Sequence, residues 1–311
     1  MPPLGGRPTL DSHPPSFPRI PVRRIVSEVT RTANIVCGVD HSAGARAAAR
    51  FAGLLAERLN LGLLFVYAVS PPIPQRELGM GAGVTDLTAI DQLQRAGADL
   101  LAEVAQELGP REVVTELKLG DAPSSIAGAA ERVGAELLVV GSRGLGPVSA
   151  LVLGSVSHWL AVHAPCPTVI VPEPDGTLTD APILCAVDDS KESRAAVTTA
   201  AALAERLGVG LLLVHAQPDD AGAPHGEGLL ARLVAEAGLG TSVERLVLAG
   251  ESADAIIDTA TTRGVELVVI GSRGRGALAS AALGSVSSAV ATRAHCPVII
   301  VRADSSVPRG E

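Results

Sequence analysis

Two short glycine-rich segments carry the residues of this chain that are best suited to bind an anion. The first reads Gly-Ser-Arg-Gly at 141–144 and, after nine further residues, Gly-Ser-Val-Ser at 154–157. Both tetrapeptides recur at 271–274 and 284–287, and ten of the 17 aligned positions are identical. Glycine lets backbone N–H groups approach a ligand, and the first N–H groups of a helix lack partners within it. The pattern therefore predicts a phosphate cradle, present twice.

This spacing resembles the nucleotide loop of the universal stress protein family, in which Gly-x2-Gly-x9-Gly is followed by Ser or Thr. Each half also has a strand ending in Val-Asp, a Gly-acid-x4-Ile segment and a Cys-Pro pair before an apolar strand. The resemblance extends over about residues 31–304, as two domains in tandem. It implies an ATP-binding protein of the tandem form, with a role in the stress response.

The resemblance implies a role for two parts of the predicted site, and the chemistry of the residues suggests the roles of the others. The aspartate that ends the first strand of each half takes the nucleoside end, and the backbone of the alanine at the end of the second strand reads adenine. A small residue two positions before the aspartate leaves room for a ligand. The loop and helix N–H groups should hold the phosphates. The hydroxyls of Ser155 and Ser157 are further donors, and the loop arginines are candidates for contact with the phosphate oxygens. A simple helix cap is the competing interpretation of the serines, and a solvated loop side chain that of the arginines.

The predicted nucleotide-binding residues fall into two equivalent sets. In the first half they are Gly38, Asp40, Ala68, Gly141, Ser142, Arg143, Gly144, Gly146, Gly154, Ser155, Val156 and Ser157. In the second half they are Ala186, Asp188, Ala216, Gly271, Ser272, Arg273, Gly274, Gly276, Gly284, Ser285, Val286 and Ser287. We expect one ATP in each set, accompanied by Mg²⁺, with no metal site made by protein residues alone and no catalytic residue.

Composition excludes several classes of protein. Hydrophobic residues make up 47% of the 311 residues and aromatic residues 2%, which suits buried parallel strands covered by alanine-rich helices. A net charge of −8 without clustered Lys or Arg argues against nucleic-acid binding. No apolar run reaches the roughly 18 residues of a membrane span. The four cysteines lie in or beside apolar strands, which indicates core residues in a reducing compartment, and we predict a cytoplasmic protein.

Strand and helix patterns alternate through both halves, which predicts an α/β fold with right-handed parallel crossovers. The predicted fold is two tandem doubly wound five-stranded parallel sheets, Rossmann-like, with the strand order 3-2-1-4-5 implied by the resemblance. We divide the chain into a disordered Pro-rich arm (1–31), a first domain (32–172), a linker (173–181), a second domain (182–304) and a tail (305–311). A Pro/Gly loop at 70–88, present in the first domain alone, is either a lid or an inert insertion.

The fold prediction has two consequences for the arrangement of the halves. Strands 1 and 4 are neighbours at the switch point, so the aspartates and glycine loops should meet in one crevice. The fifth strands, 168–171 and 298–301, are apolar edges, and we expect them to pair as an intramolecular pseudo-dimer. Further assembly into a homodimer stays open, and the sequence names no protein partner.

Other functional classes fit the sequence less well. Gly274-x-Gly276-x-x-Ala279 matches a dinucleotide fingerprint, but it follows the fourth strand and lacks the acidic residue about 20 positions on. A slow ATP hydrolase or phosphotransferase needs a positioned base, and none is repeated because His41 aligns with Asp189. A scaffold that binds nothing would not need intact glycines in both copies. The sequence therefore favours a regulatory binding module over an enzyme.

Overall fold

The computed structural model describes residues 33–70, 87–109, 112–144, 152–173, 176–217, 223–240, 243–274 and 282–305. Several predictions lie outside those residues, namely the Pro-rich arm, most of the loop at 70–88, Gly146, Gly276 and nearly all of the tail.

Helices and strands alternate along both halves of the chain. In the first half they are β1 (Ala33–Gly38), α1 (Ala43–Arg58), β2 (Gly62–Val69), α2 (Leu87–Glu107), β3 (Val113–Leu119), α3 (Ala122–Val133), β4 (Leu137–Gly141), α4 (Ser155–His163) and β5 (Thr168–Val171). In the second half they are β6 (Ile183–Ala186), α5 (Lys191–Leu207), β7 (Leu211–Gln217), α6 (Ala223–Glu236), β8 (Glu244–Ala249), α7 (Ser252–Thr262), β9 (Leu267–Gly271), α8 (Ser285–Arg293) and β10 (Val298–Val301).

Local sequence explains where the first helix begins and which side it buries. The Ser42 hydroxyl accepts a hydrogen bond from the Ala45 N–H at 3.1 Å, so it caps α1 as a serine in that position is expected to. The buried side chains of the helix recur at helical spacing. Among them are Ala45, Ala48, Ala49, Ala52 and Leu55.

The strands form one sheet in the order β3-β2-β1-β4-β5-β10-β9-β6-β7-β8. Each half therefore has the strand order 3-2-1-4-5, and every pairing within a half is parallel. This confirms the predicted doubly wound α/β fold. The winding reverses between β1 and β4 and again between β6 and β9, which places a crevice at both points.

An antiparallel pair of strands joins the two halves. Val169 of β5 lies opposite Ile299 of β10, its own counterpart in the repeat, and the neighbouring pairs are Thr168 with Ile300 and Ile170 with Val298. A local two-fold axis produces this pattern, because it pairs one residue with its own counterpart and pairs the residue on either side with the counterpart of the residue on the other side. The expected pairing of the fifth strands is confirmed, and the two sheets join into a single sheet of ten strands.

Aliphatic side chains and alanines form most of the core on both faces of the sheet, and Phe51 and Phe65 are buried among them on one face. On the face covered by α1 and α5, one buried cluster runs through both halves across the β5–β10 pair. On the other face the clusters are separate, one mainly for each half. None of the helices in the described part of the chain is long and apolar enough to cross a membrane.

Candidate functional site

A cavity lies at the carboxyl ends of the central strands in each half, at the two points where the winding reverses. The first measures about 280 Å³ and the second about 510 Å³. The first is lined by Gly38, Val39, Asp40, Ala45, Tyr67, Ala68, Ala122, Ile126, Val140, Gly141, Arg143, Gly144, Gly154, Ser155, Val156 and Ser157. The second is lined by Ala186, Val187, Asp188, Ser193, Ala216, Ser252, Ile256, Ile270, Gly271, Arg273, Gly274, Ala282, Leu283, Gly284, Ser285, Val286 and Ser287.

All of the predicted site residues that the structure describes line these cavities, except two serines. Ser142 and Ser272 are buried behind the loop, where the N–H group of each donates to the carbonyl of the last residue of the adjacent strand, β5 or β10, at 2.7 Å. Their carbonyls accept from the N–H groups of Gly154 and Gly284, at 2.8 and 2.9 Å. These serines therefore hold the loop against the sheet and do not reach the cavity.

The residue that ends β4 and the one that ends β9 must be glycine, because a neighbouring helix packs directly against each. A Cβ atom on Gly141 would lie 2.5 Å from the carbonyl carbon of Gly44, and one on Gly271 would lie 2.8 Å from the Cβ of Glu192. The first turns of α1 and α5 therefore rest directly on the ends of these strands. This close approach brings the start of each helix, and the aspartate before it, to the glycine loop.

The helices that follow the loops begin without a side-chain cap. Their N-cap residues are Gly154 and Gly284, which have no side chain to serve as a cap, and among the described residues no side chain caps either helix. By contrast, α1, α3 and α5 are each capped by a serine or aspartate side chain. Uncapped N–H groups that face a cavity, at the positive end of a helix dipole, form an anion site. The interpretation of Ser155 and Ser285 as simple helix caps is therefore wrong, because a glycine holds that position.

The second serine of each Gly-Ser-Val-Ser segment has a structural role. The hydroxyls of Ser157 and Ser287 each donate to the carbonyl of the glycine that ends the preceding strand, Gly141 or Gly271, at 2.6 Å. Both serines are buried. Since a hydroxyl has a single hydrogen, these two cannot also donate to a phosphate, which corrects the role that we expected for them.

In both halves an aspartate carboxylate lies beside the Gly-Ser-Arg-Gly segment. Asp40 Oδ1 accepts from the Ser42 N–H at 2.8 Å, and Asp188 Oδ1 accepts from the Ser190 N–H at 3.0 Å. The other carboxylate oxygen faces the last glycine of the Gly-Ser-Arg-Gly segment, where a Cβ would lie 2.8 Å from Asp40 Oδ2 and 2.6 Å from Asp188 Oδ2. As predicted, the aspartate and the glycine loop share one crevice in each half.

Two isoleucines of the cavities were not included in the predicted site. Ile126 and Ile256 lie on α3 and α7, and a Cβ on Gly38 would come within 2.6 Å of Ile126 Cδ1. We expected the space beside Gly38 to be open for a ligand, but Ile126 fills it. The signal was present, since both isoleucines end the repeated Gly-acid-x4-Ile segment.

Among the described lining residues, an aromatic side chain is present in the first cavity and not in the second. Burial, and then the charge of Asp40, raises the pKa of the Tyr67 phenol, so this residue remains a neutral hydrogen-bonding group at neutral pH. The exposed His41 ring stands edge-on to Tyr67, with 5.9 Å between the ring centroids. The counterpart of Tyr67 is His215, which is buried with its Nδ1 atom 2.8 Å from the Val187 carbonyl oxygen and does not line the second cavity.

A switch-point crevice with a glycine loop and an uncapped helix, repeated about a two-fold axis, defines a tandem doubly wound α/β protein with one such cavity in each half. The model of the universal stress protein family matches residues 32–172 and 181–302, and the chain belongs to this family.

Similar proteins share the tandem arrangement. The chain is 32% identical over 289 residues to a universal stress protein of Mycobacterium tuberculosis, with 86% of this chain and 96% of that protein covered. A second universal stress protein of the same bacterium is 31% identical over 300 residues, covering 89% and 99%. The fold matches a crystal structure of a universal stress protein from Archaeoglobus fulgidus, with a TM-score of 0.68 at 21% identity, covering 86% and 98%.

Proposed function

We propose that each half of the chain binds one ATP and that the protein acts as a regulatory module whose behaviour depends on nucleotide occupancy. The observation that carries this proposal is the uncapped N-terminus of α4 or α8, which opens into a cavity at the switch point of the sheet. A nucleotide phosphate would supply the acceptor atoms that no side chain provides there.

The cavity residues suggest how the nucleotide lies. Phosphate oxygens would accept from the N–H groups at the start of α4 and α8 and from the side chains of Arg143 and Arg273, which line the cavities. The nucleoside would then lie toward the ends of the second strands, where Ala68 and Ala216 line the cavities with small side chains. Because an alanine side chain cannot form hydrogen bonds, the adenine would be recognised by backbone groups at these positions.

Magnesium fits such a site as a companion of the nucleotide. The described residues contain no group of three or more His, Cys, Asp and Glu side chains that could hold a metal ion. Mg²⁺ in nucleotide sites is commonly held by one or two carboxylates together with the phosphates. We propose that the phosphates supply most of its ligands here and that the protein adds at most a carboxylate.

We propose binding without rapid turnover. A hydrolase or phosphotransferase needs a group that positions the attacking water or hydroxyl, and His41 is the residue beside the first site that could do so. Its counterpart Asp189 is instead ion-paired with Arg194 at 3.0 Å and with Arg232 at 2.6 Å. The two halves therefore share no base at this position.

The test adds a negative charge where the phosphates are expected. Ser155 and Ser285 are exposed first residues of α4 and α8, and an acidic side chain at this end of a helix favours folding. Titration calorimetry on nucleotide-free protein should find about two ATP per chain. Ser155→Glu or Ser285→Glu should each leave about one, and the double variant none.

Matched controls add the same charge on the same helices outside the cavities. His158→Glu and Ser288→Glu lie three residues further along α4 and α8, and neither position lines a cavity. Both variants should still bind about two ATP per chain. Undiminished binding in the Ser155→Glu, Ser285→Glu double variant would show that the helix N-termini are not the phosphate sites, and no binding by the parent protein would remove the proposal.

A further inference from the structure

The loop arginines of the two halves have different surroundings. In the second half, Glu192 in the first turn of α5 is 5% exposed, and its Oε1 atom lies 3.8 Å from Arg273 Nε. The counterpart of Glu192 in the first half is Gly44. Within the part of the chain that the structure describes, Arg143 forms no ion pair. The positive charge is thus compensated by a buried carboxylate in one cavity and not in the other.

In the first half, the carboxylate that approaches the position of Glu192 is exposed to solvent. A Cβ on Gly44 would lie 2.9 Å from Glu173 Oε1, so Glu173, which follows β5, approaches the space that the Glu192 side chain fills in the other half. Glu173 is exposed. Water and salt screen an exposed carboxylate much more effectively than a buried one. Glu173 therefore weakens the field of Arg143 less than Glu192 weakens that of Arg273.

The cavities also differ in size and in lining. The first has about 280 Å³, with Tyr67 in its lining and Ile126 Cδ1 over Gly38. The second has about 510 Å³ and no aromatic residue in its lining. The first cavity is the smaller one, and within the described residues its arginine has no ion-pair partner, whereas the second is larger and its arginine lies beside a buried carboxylate.

We propose that the two sites differ in phosphate preference and that Glu192 determines this difference. The first site strongly favours adenosine triphosphate over the monophosphate, and the second accepts mono-, di- and triphosphates with much less discrimination. This inference rests on the proposed function, because it assigns a ligand preference to the same two sites. Its physical reason is that each added phosphate charge gains attraction from a free guanidinium, whereas the buried carboxylate beside Arg273 opposes that gain.

Single-site variants allow the two preferences to be measured in the full chain. Ser285→Glu leaves the first site available and Ser155→Glu leaves the second. Calorimetric titrations with ATP, ADP and AMP, without Mg²⁺, give the ratio of the AMP and ATP dissociation constants for each site. We expect this ratio to be at least about tenfold larger for the first site, the effect of one additional charge-assisted contact.

Substitution of the carboxylate tests its role directly. In the Ser155→Glu background, Glu192→Gln should raise the preference of the second site for ATP over AMP by about three- to tenfold, because Arg273 is released toward the phosphates. Glu205→Gln removes an exposed charge from the same helix and should change nothing. Arg143→Gln should lower the ATP preference of the first site, and Arg273→Gln should change that of the second site much less.

The outcomes separate this inference from the proposed function. If no adenine nucleotide binds in any background, the proposed function fails. If both sites bind with equal ATP-to-AMP ratios, or if the second site has the larger ratio, ATP binding stands and the inference is overturned. If Glu192→Gln does not fold, the ratios measured in Ser285→Glu and Ser155→Glu, with the two arginine variants, still decide it.

Discussion

Four glycines of the two sites stand where another group occupies the position of a side chain. At Gly141 and Gly271 the obstruction is the first turn of the neighbouring helix, and at Gly144 and Gly274 it is an aspartate carboxylate. The distinction matters, because a helix backbone cannot move away cheaply whereas a carboxylate can rotate. Glycine in these motifs therefore has two roles, close packing at the strand end and placement of the carboxylate in the loop.

Alanine at the strand end should destabilise the fold. The added Cβ of Gly141→Ala would lie 2.5 and 2.6 Å from the carbonyl carbon and oxygen of Gly44, both backbone atoms. We expect the free energy of unfolding to fall by about 1–3 kcal/mol, the usual cost of overpacking. Gly128→Ala is the matched control, because that exposed helical glycine has open space around it, and it should gain about 0.5–1 kcal/mol. Urea unfolding measures both, and a Gly141→Ala variant as stable as the parent would contradict the packing argument.

Because the glycine-loop motif occurs twice in the sequence, most residues of the site could be predicted individually. A glycine loop that occurs twice with the same spacing is a strong signal, and its described residues line both cavities apart from Ser142 and Ser272. What the sequence could not show is the direction of the serine side chains. The direction of a side chain depends on the local backbone, and the hydroxyls of Ser157 and Ser287 are directed to strand carbonyls by the start of the helix.

At the scale of the elements, periodicity and caps predicted the helices and strands closely. The fifth strands illustrate this, since the bounds of β5 and β10 agree with the predicted ranges 168–171 and 298–301. Strand order required the family resemblance, since a pattern of alternating elements is compatible with several orders of parallel strands. The sequence did not predict the different surroundings of Arg143 and Arg273. Beside Arg143, α1 and the chain after β5 are far apart in the sequence and meet only in the folded protein.

The cysteines illustrate how strand position controls side-chain chemistry. Cys37 and Cys185 lie within β1 and β6, where burial raises the pKa of each thiol far above its usual range. Cys166 and Cys296 precede β5 and β10, and burial raises the pKa of each thiol to about 12. Thiolates are the reactive form of cysteine, so we expect all four thiols to be unreactive in the native protein.

A thiol titration checks this expectation. At pH 8 a thiol with a pKa near 12 is about one ten-thousandth thiolate, so the native protein should react negligibly with a disulfide reagent over minutes. In denaturant all four cysteines should react. Rapid reaction of one or two thiols in the native protein would instead support a redox role.

At the scale of the whole molecule, both halves hold the segment between them. Arg58 at the end of α1 donates to the carbonyls of Leu178 and Thr179 and to the carboxylate of Asp180. From the second half, Glu266 accepts hydrogen bonds from the Thr177 hydroxyl and the Thr179 N–H. The part of the predicted linker from 177 to 180 is thus held by hydrogen bonds to both halves.

The linker contact predicts a pH dependence of stability. Burial alone would raise the pKa of Glu266, but hydrogen bonds from Thr179 and Thr177 and the charge of Arg58 outweigh it, so the pKa lies below its ordinary value of 4.5. A carboxyl whose pKa is lower in the folded state binds a proton more readily when unfolded. Its contribution to stability is therefore complete above about pH 4.5 and is lost as the pH falls through the folded-state pKa.

Glu266→Gln should remove that dependence. At pH 7 the variant should be less stable than the parent by about 1 kcal/mol, because the amide has one acceptor oxygen where the carboxylate has two. Below about pH 4.5 the difference should shrink, since the parent loses the same contacts on protonation. Glu131→Gln, which removes an exposed carboxylate from α3, should follow the parent at both pH values. Urea unfolding at pH 7 and pH 4 measures all three proteins, and a Glu266→Gln variant whose deficit is the same at both pH values would show that this carboxylate does not hold the linker.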